Sequence, residues 1–173
     1  MAASQVIALI GLSGVGKSAV ARILAERLGL PAVDIDGVVA EAAGMPVAQI
    51  FAQYGEAAFR AREAAALVAA LNCGPQVIAT GGGAVLSEEN RSRLRQAFVV
   101  WLDAPDDVIL ARLRADGEQR PLLQTNPAAR IAALRAERNG FYHDLANLTI
   151  VTSYLSPAAV ADRIARAYRP DVL

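Results

Sequence analysis

Gly11-Leu12-Ser13-Gly14-Val15-Gly16-Lys17-Ser18 follows directly on the apolar run Val6 to Ile10 and fits the phosphate-loop pattern G-x-x-x-x-G-K-[ST]. The placement matters as much as the letters. A strand has to deliver the chain to such a loop and a helix has to leave it, because successive backbone N–H groups and the helix N-terminus together form the cradle for phosphate. Gly11, Gly14 and Gly16 let the backbone turn tightly and approach the oxygens. Lys17 supplies a compact point charge for the outer phosphates, and the Ser18 hydroxyl suits a magnesium ion. Beyond the loop, Val20, Ile23, Leu24 and Leu28 recur at helical spacing and Gly29 is a stop signal. The plain alternative is a glycine-rich turn carrying a surface lysine, which does not account for the strand before and the helix after. The stretch predicts nucleoside triphosphate binding.

A chain of 173 residues suits one domain with a sizeable core. Lys plus Arg and Asp plus Glu number 17 each, so no overall field points to nucleic acid or membrane, and anion chemistry has to come from local clusters. No apolar run approaches the roughly 20 residues of a membrane span, and Met1-Ala-Ala-Ser-Gln lacks the basic segment of a secretory signal. These features predict a cytoplasmic protein, with a monomer as the default because no spare apolar stripe is visible. The lone Cys73 excludes an internal disulfide framework and has no nearby His to activate it; the single His143 cannot build a zinc site of His ligands.

Short apolar runs alternate with helical patterns. Val6 to Ile10, Ala32 to Ile35, Gln76 to Thr80, Ala97 to Leu102 and Leu148 to Thr152 read as strands, which predicts an α/β fold with a mostly parallel sheet covered on both faces. Helical patterns run from Gly55 to Leu71, Asp106 to Arg114 and Ala128 to Asn139. Between the last two, the polar, Gly- and Pro-bounded stretch Asp116 to Pro127 reads as a mobile loop. Ligands of open parallel sheets bind beyond the carboxyl ends of the strands, so the residues just after each strand carry the interest.

Val33-Asp34-Ile35-Asp36 ends the second strand, and strand alternation would turn both carboxylates to one side near the phosphate loop. A magnesium ion and a substrate hydroxyl would use them; the alternative for Asp36 is the N-cap of a helix starting at Gly37. Thr80-Gly81-Gly82-Gly83 ends the third strand and opens the backbone to a ligand, or forms a tight turn only. Arg60 is either an anion ligand or the surface partner of Glu56 one turn away. Arg120 lies in the polar loop, where closure would swing it onto phosphates. Arg138 sits near the end of a helical pattern, where a cation also suits the helix dipole.

In this order, Gly11 to Ser18, Asp34-Ile-Asp36, Gly55-Glu-Ala-Ala-Phe59-Arg60-Ala-Arg-Glu63, Gly81-Gly82-Gly83, Arg120-Pro-Leu-Leu123 and Glu137-Arg138-Asn139 before Phe141-Tyr142 resemble shikimate kinase. The resemblance runs through essentially the whole chain. It implies a three-layer P-loop NTPase fold of the nucleoside monophosphate kinase type, about five parallel strands with helices on both faces, in a single domain over 1–173. It also implies a substrate-binding subregion at about 34–63 and a mobile lid at about 113–126. The implied activity is phosphorylation of the 3-hydroxyl of shikimate by ATP with magnesium, a step of aromatic amino-acid biosynthesis. Asp36, Arg60, Gly81, Gly82, Gly83 and Arg138 would hold shikimate. Gly11, Ser13, Gly14, Val15, Gly16, Lys17, Ser18 and Ala19 would hold ATP together with Arg120 and Arg112, with Arg114 as a rival for the place beside adenine. Ser18 and Asp34 would hold magnesium, and Lys17, Asp36 and Arg120 would carry the chemistry.

Two departures from the family pattern stand out. Gly140 and Phe141 replace its usual Pro and Leu, which predicts a looser helix end behind Arg138 and weaker substrate binding. Apolar Leu155 lies near a position where the family often has a polar ATP contact. Two other readings compete: a kinase of another small polyol acid such as gluconate, and a non-catalytic kinase-like sensor. The F-R-x-x-E and G-G-G pair argues against the first. The retention of Lys17, Ser18, Asp34, Asp36 and Arg120, with only a few residues before the first strand, argues against the second.

Overall fold

The computed structural model describes residues 6–116 and 126–168. Five strands, Val6–Ile10 (β1), Ala32–Asp34 (β2), Gln76–Ala79 (β3), Phe98–Asp103 (β4) and Leu148–Val151 (β5), form one sheet in the order β2-β3-β1-β4-β5. Every neighbouring pair is parallel. β1 is central and all five of its residues are buried, which is why it reads as an unbroken apolar run with no polar alternation. Around the sheet lie Lys17–Leu28 (α1), Ile35–Ala43 (α2), Val47–Asn72 (α3), Glu88–Leu94 (α4), Asp106–Asp116 (α5), Pro127–Leu145 (α6) and Pro157–Tyr168 (α7), with a 3-10 turn at Ala84–Leu86. The α/β architecture with a five-stranded parallel sheet is the one expected. Among the described residues, no single helix is long and apolar enough to cross a membrane.

Register brings the functional loops together. Leu9 of β1 lies opposite Ala79 of β3, and the Leu9 carbonyl accepts both the N–H of Thr80 at 3.1 Å and its hydroxyl at 3.0 Å. The two strands therefore end side by side, and the phosphate loop after β1 faces the three glycines after β3. Two strands away, Asp34 at the end of β2 pairs with Ala79.

Three local expectations are corrected. Ile35 starts α2 instead of ending the strand, because the Asp34 side chain caps that helix by accepting from the N–H groups of Asp36 and Gly37. The cap is therefore Asp34 and not Asp36. The helix expected from Gly55 begins earlier, at Val47, and Gly55 interrupts it with φ 80° and ψ 172°, a backbone conformation nearly restricted to glycine. α2 and α3 are bent by 91° relative to each other. Finally, α6 continues through Gly140 to Leu145, since Tyr142 and Leu145 bury their side chains on its far turn. Gly140 is thus interior to the helix, Arg138 is two turns from its end, and the loosened helix end is not formed.

Candidate active site

The phosphate loop is shaped by backbone. Gly11, Gly14 and Gly16 have φ of 137°, 87° and 98°, and a Cβ on Gly11 would run into the carbonyl oxygen of Leu102. Lys17 is buried and its ammonium folds back along the loop, donating to the carbonyls of Gly11 at 2.7 Å and Leu12 at 2.8 Å. Ser13 contributes its N–H on the side facing the glycines, while Ala19 sits in the first turn of α1. The Val15 carbonyl accepts from Arg112 Nη1 and from Thr152 Oγ1, each at 3.3 Å. Arg112 also donates to Thr152 Oγ1 at 2.9 Å and to the Thr152 carbonyl at 3.0 Å. Of the two rival arginines, then, Arg112 lies against the loop and Arg114 is exposed on α5. Leu155 packs inward on the core while Tyr154 is exposed, so apolar Leu155 is explained by packing.

Asp34 and Asp36 serve different sides. The Ser18 hydroxyl donates to Asp34 Oδ2, whereas Asp34 Oδ1 holds the start of α2 through Asp36 N at 3.1 Å and Gly37 N at 3.3 Å. The change from strand to helix at Ile35 cancels the alternation that would have turned both acids the same way, and Asp36 lies instead beside Gly81. These two oxygens, a serine hydroxyl and a carboxylate at the end of the phosphate loop, fit a hard divalent cation. Among the described residues, no group of three or more His, Cys, Asp or Glu could hold a metal ion. A cation at Ser18 and Asp34 would depend on water and phosphate oxygens for the rest of its shell, the usual arrangement for magnesium.

The opposite wall is made of side chains set against the three glycines. A Cβ on Gly81 would meet Glu63 Oε1 and lie 3.1 Å from Asp36 Oδ1; one on Gly82 would be 3.4 Å from Arg138 Nη1, from the Gly11 carbonyl oxygen and from Ser13 N; one on Gly83 would overlap the Arg60 guanidinium. The glycine loop is therefore the floor on which Asp36, Arg60, Glu63 and Arg138 converge, with the phosphate loop at its edge. This excludes the reading of the glycines as a tight turn alone. Arg138 is 4% exposed and pairs with Glu137 at 3.2 Å. Arg60 pairs with exposed Glu56 at 3.3 Å, as the plain reading held, and with Glu63, itself 1% exposed, at 2.8 Å. Burial pushes the Glu63 carboxyl above its ordinary value; Arg60 opposes that, and nearby Asp36 reinforces it.

Arg120 lies outside the described residues, as does most of the expected lid; of its span, 113–116 belong to α5 and Asn126 caps α6. Sequence reading left three neighbours of the site without a role. Glu63 stands three residues after Arg60 and Tyr142 four after Arg138, spacings that place each pair on one helix face. Thr152 carries no such signal, since it meets Arg112 and Val15 only through the parallel sheet.

The family model for shikimate kinase matches residues 13–169. A shikimate kinase of Symbiobacterium thermophilum is 51% identical over 149 residues, 84% of this chain and 86% of the relative. One from Thermobifida fusca is 42% identical over 96% of each chain. The solved structure of shikimate kinase from Acinetobacter baumannii in complex with shikimate superposes with a TM-score of 0.90 at 35% identity, covering 94% of this chain and 91% of that one.

Proposed function

Since the chain belongs to the shikimate kinase family, we propose that it transfers the γ-phosphoryl group of ATP to the 3-hydroxyl of shikimate, giving shikimate 3-phosphate and ADP. The observation that carries the assignment is the convergence of Asp36, Arg60 and Arg138 on Gly81 to Gly83, directly beside the phosphate loop. An acid with hydroxyl groups calls for cationic forks and one acceptor, and that wall provides both. The 1–173 chain acts as one kinase domain, and ATP is the phosphoryl donor.

Phosphoryl transfer asks little covalent work of a protein, so rate comes from positioning and neutralisation of charge. Gly11 to Gly16 present N–H groups to the phosphates, and Lys17 exchanges its loop carbonyls for phosphate oxygens. Arg112 keeps the loop fastened to the end of β5, on the adenine side. Arg120 adds positive charge near the transferring group. Arg138 and Arg60 hold the substrate carboxylate, Glu63 fixes Arg60, and Asp36 holds the attacking hydroxyl. The hydroxyl oxygen forms the new bond to phosphorus as the bond to the bridging β–γ oxygen breaks; the proton passes to Asp36. Because an alcohol is far less acidic than a carboxylic acid, Asp36 takes that proton late in the transfer. Magnesium, held by Ser18 with Asp34 beside it, would offset phosphate charge.

We read the protein as a cytoplasmic monomer without nucleic-acid or membrane partners. Equal numbers of acidic and basic residues support this, as do exposed large apolar side chains that stay few among the described residues. The decisive test is ADP release from ATP and magnesium with shikimate, quinate or gluconate as acceptor. Turnover with shikimate far above the other two is expected; turnover confined to gluconate would reject the assignment.

A further inference from the structure

One buried polar group next to the site has no part in the chemistry above. Tyr142 is 0% exposed, and its hydroxyl donates to the Gly82 carbonyl at 2.6 Å. Its ring lies 5.8 Å from that of Trp101, tilted by 31°, so the phenol is held from the side as well as at its tip. Burial keeps the phenol protonated well beyond its ordinary range, which preserves the donor at every working pH. Arg138, Arg60 and Glu63 are the charged groups facing it.

Tyr142 and Arg138 are one turn apart on α6, so they share a helix face. The first grips the floor of the acid-binding wall, and the second reaches across the same floor to Gly82. A peptide unit is planar and trans. Drawing the Gly82 carbonyl toward α6 therefore turns the N–H of Gly83 away from it. Three glycines in a row have no side chains to hold such an orientation, and glycine is the residue with most conformational freedom to lose.

We propose that Tyr142 is a positioning residue for substrate binding: its hydroxyl locks the Gly82–Gly83 peptide and fixes the spacing between the glycine floor and the Arg138 fork. This rests on the assignment of Asp36, Arg60 and Arg138 to the acid substrate. It ties Tyr142 to the acid wall, whose floor its hydroxyl bonds.

The test is steady-state kinetics of Tyr142→Phe, varying shikimate and ATP separately, beside the wild type and a control, Val160→Ala, on α7. The phenylalanine ring keeps the contact with Trp101 but leaves the half-buried Gly82 carbonyl without its donor. KM for shikimate should rise roughly fivefold to tenfold, while kcat and KM for ATP stay within about twofold. Val160→Ala should lose thermal stability with both KM values unchanged. Equal shikimate KM in Tyr142→Phe and wild type would overturn the proposal, as would a parallel rise in KM for ATP. A wild-type protein inactive on shikimate would instead reject the functional assignment. Should Tyr142→Phe fail to accumulate as folded protein, Trp101→Phe is expected to give the same split at smaller size, and an unsplit pair of KM values there would overturn the proposal equally.

Discussion

The phosphate wall and the acid wall of this cleft are built by opposite means. Eight consecutive residues, Gly11 to Ser18, make the first; main-chain groups of a loop with positive φ at Gly11, Gly14 and Gly16 do most of its work, joined by the Lys17 and Ser18 side chains. The second draws on α2, α3, the loop after β3 and α6, and its recognising groups are side chains brought together from separate stretches of the chain. A wall of backbone is indifferent to what most of its side chains are, but it fails when a glycine is replaced. A wall of charged side chains fails when one fork is blunted. The two should therefore break in separable ways, each affecting one substrate.

Replacing the acceptor of the hydroxyl should have the largest effect. Asp36→Asn is expected to lower kcat by roughly 10²- to 10⁴-fold, the range typical of a positioned proton acceptor, while leaving ATP affinity near normal. Equilibrium titration with a fluorescent ATP analogue separates the two, and a parallel loss of nucleotide binding would erase the division between the walls. Arg138→Lys comes next. It keeps the charge but removes the planar fork from a nearly buried position, so KM for shikimate should increase by about 10- to 50-fold with KM for ATP unmoved.

On the other wall, Gly16→Ala adds a methyl group with nothing within 4 Å of it, so only the left-handed backbone at φ 98° is strained. That strain costs about 1 to 2 kcal/mol. Nucleotide affinity should weaken roughly fivefold with shikimate affinity intact, as calorimetry with each ligand would reveal. The smallest change is expected from Glu56→Gln. Glu56 is the exposed partner of Arg60, and surface pairs contribute little, so KM for shikimate should stay within about twofold. A large effect would mean that Glu63 alone does not orient Arg60.

How much of this was legible in the chain follows the same division. The loop could be read outright, because its signal is contiguous and its flanking strand and helix are local. Strand positions come close for a related reason: a fully buried parallel strand is an unbroken apolar run, as β1 is. Asp34 and Asp36 are legible as a pair but their placement is not, because strand alternation does not carry across Ile35, where the Asp34 cap turns the chain into a helix. Glycine is a poor helix former, which predicts a loose end at Gly140, yet tertiary burial of Tyr142 and Leu145 carries α6 past it. Thr152 was out of reach, since only the pairing of β4 with β5 brings it to Arg112.

Asp34 belongs to neither wall entirely. One of its oxygens meets Ser18 while the other holds the first turn of the helix that carries Asp36. Charge arriving at the first oxygen would be felt at the second, so a divalent ion bound there and a sugar-like acid held by Asp36 would be linked through this one carboxylate. Thermodynamic reciprocity then requires that whatever factor the ion contributes to acid affinity, the acid returns to the ion.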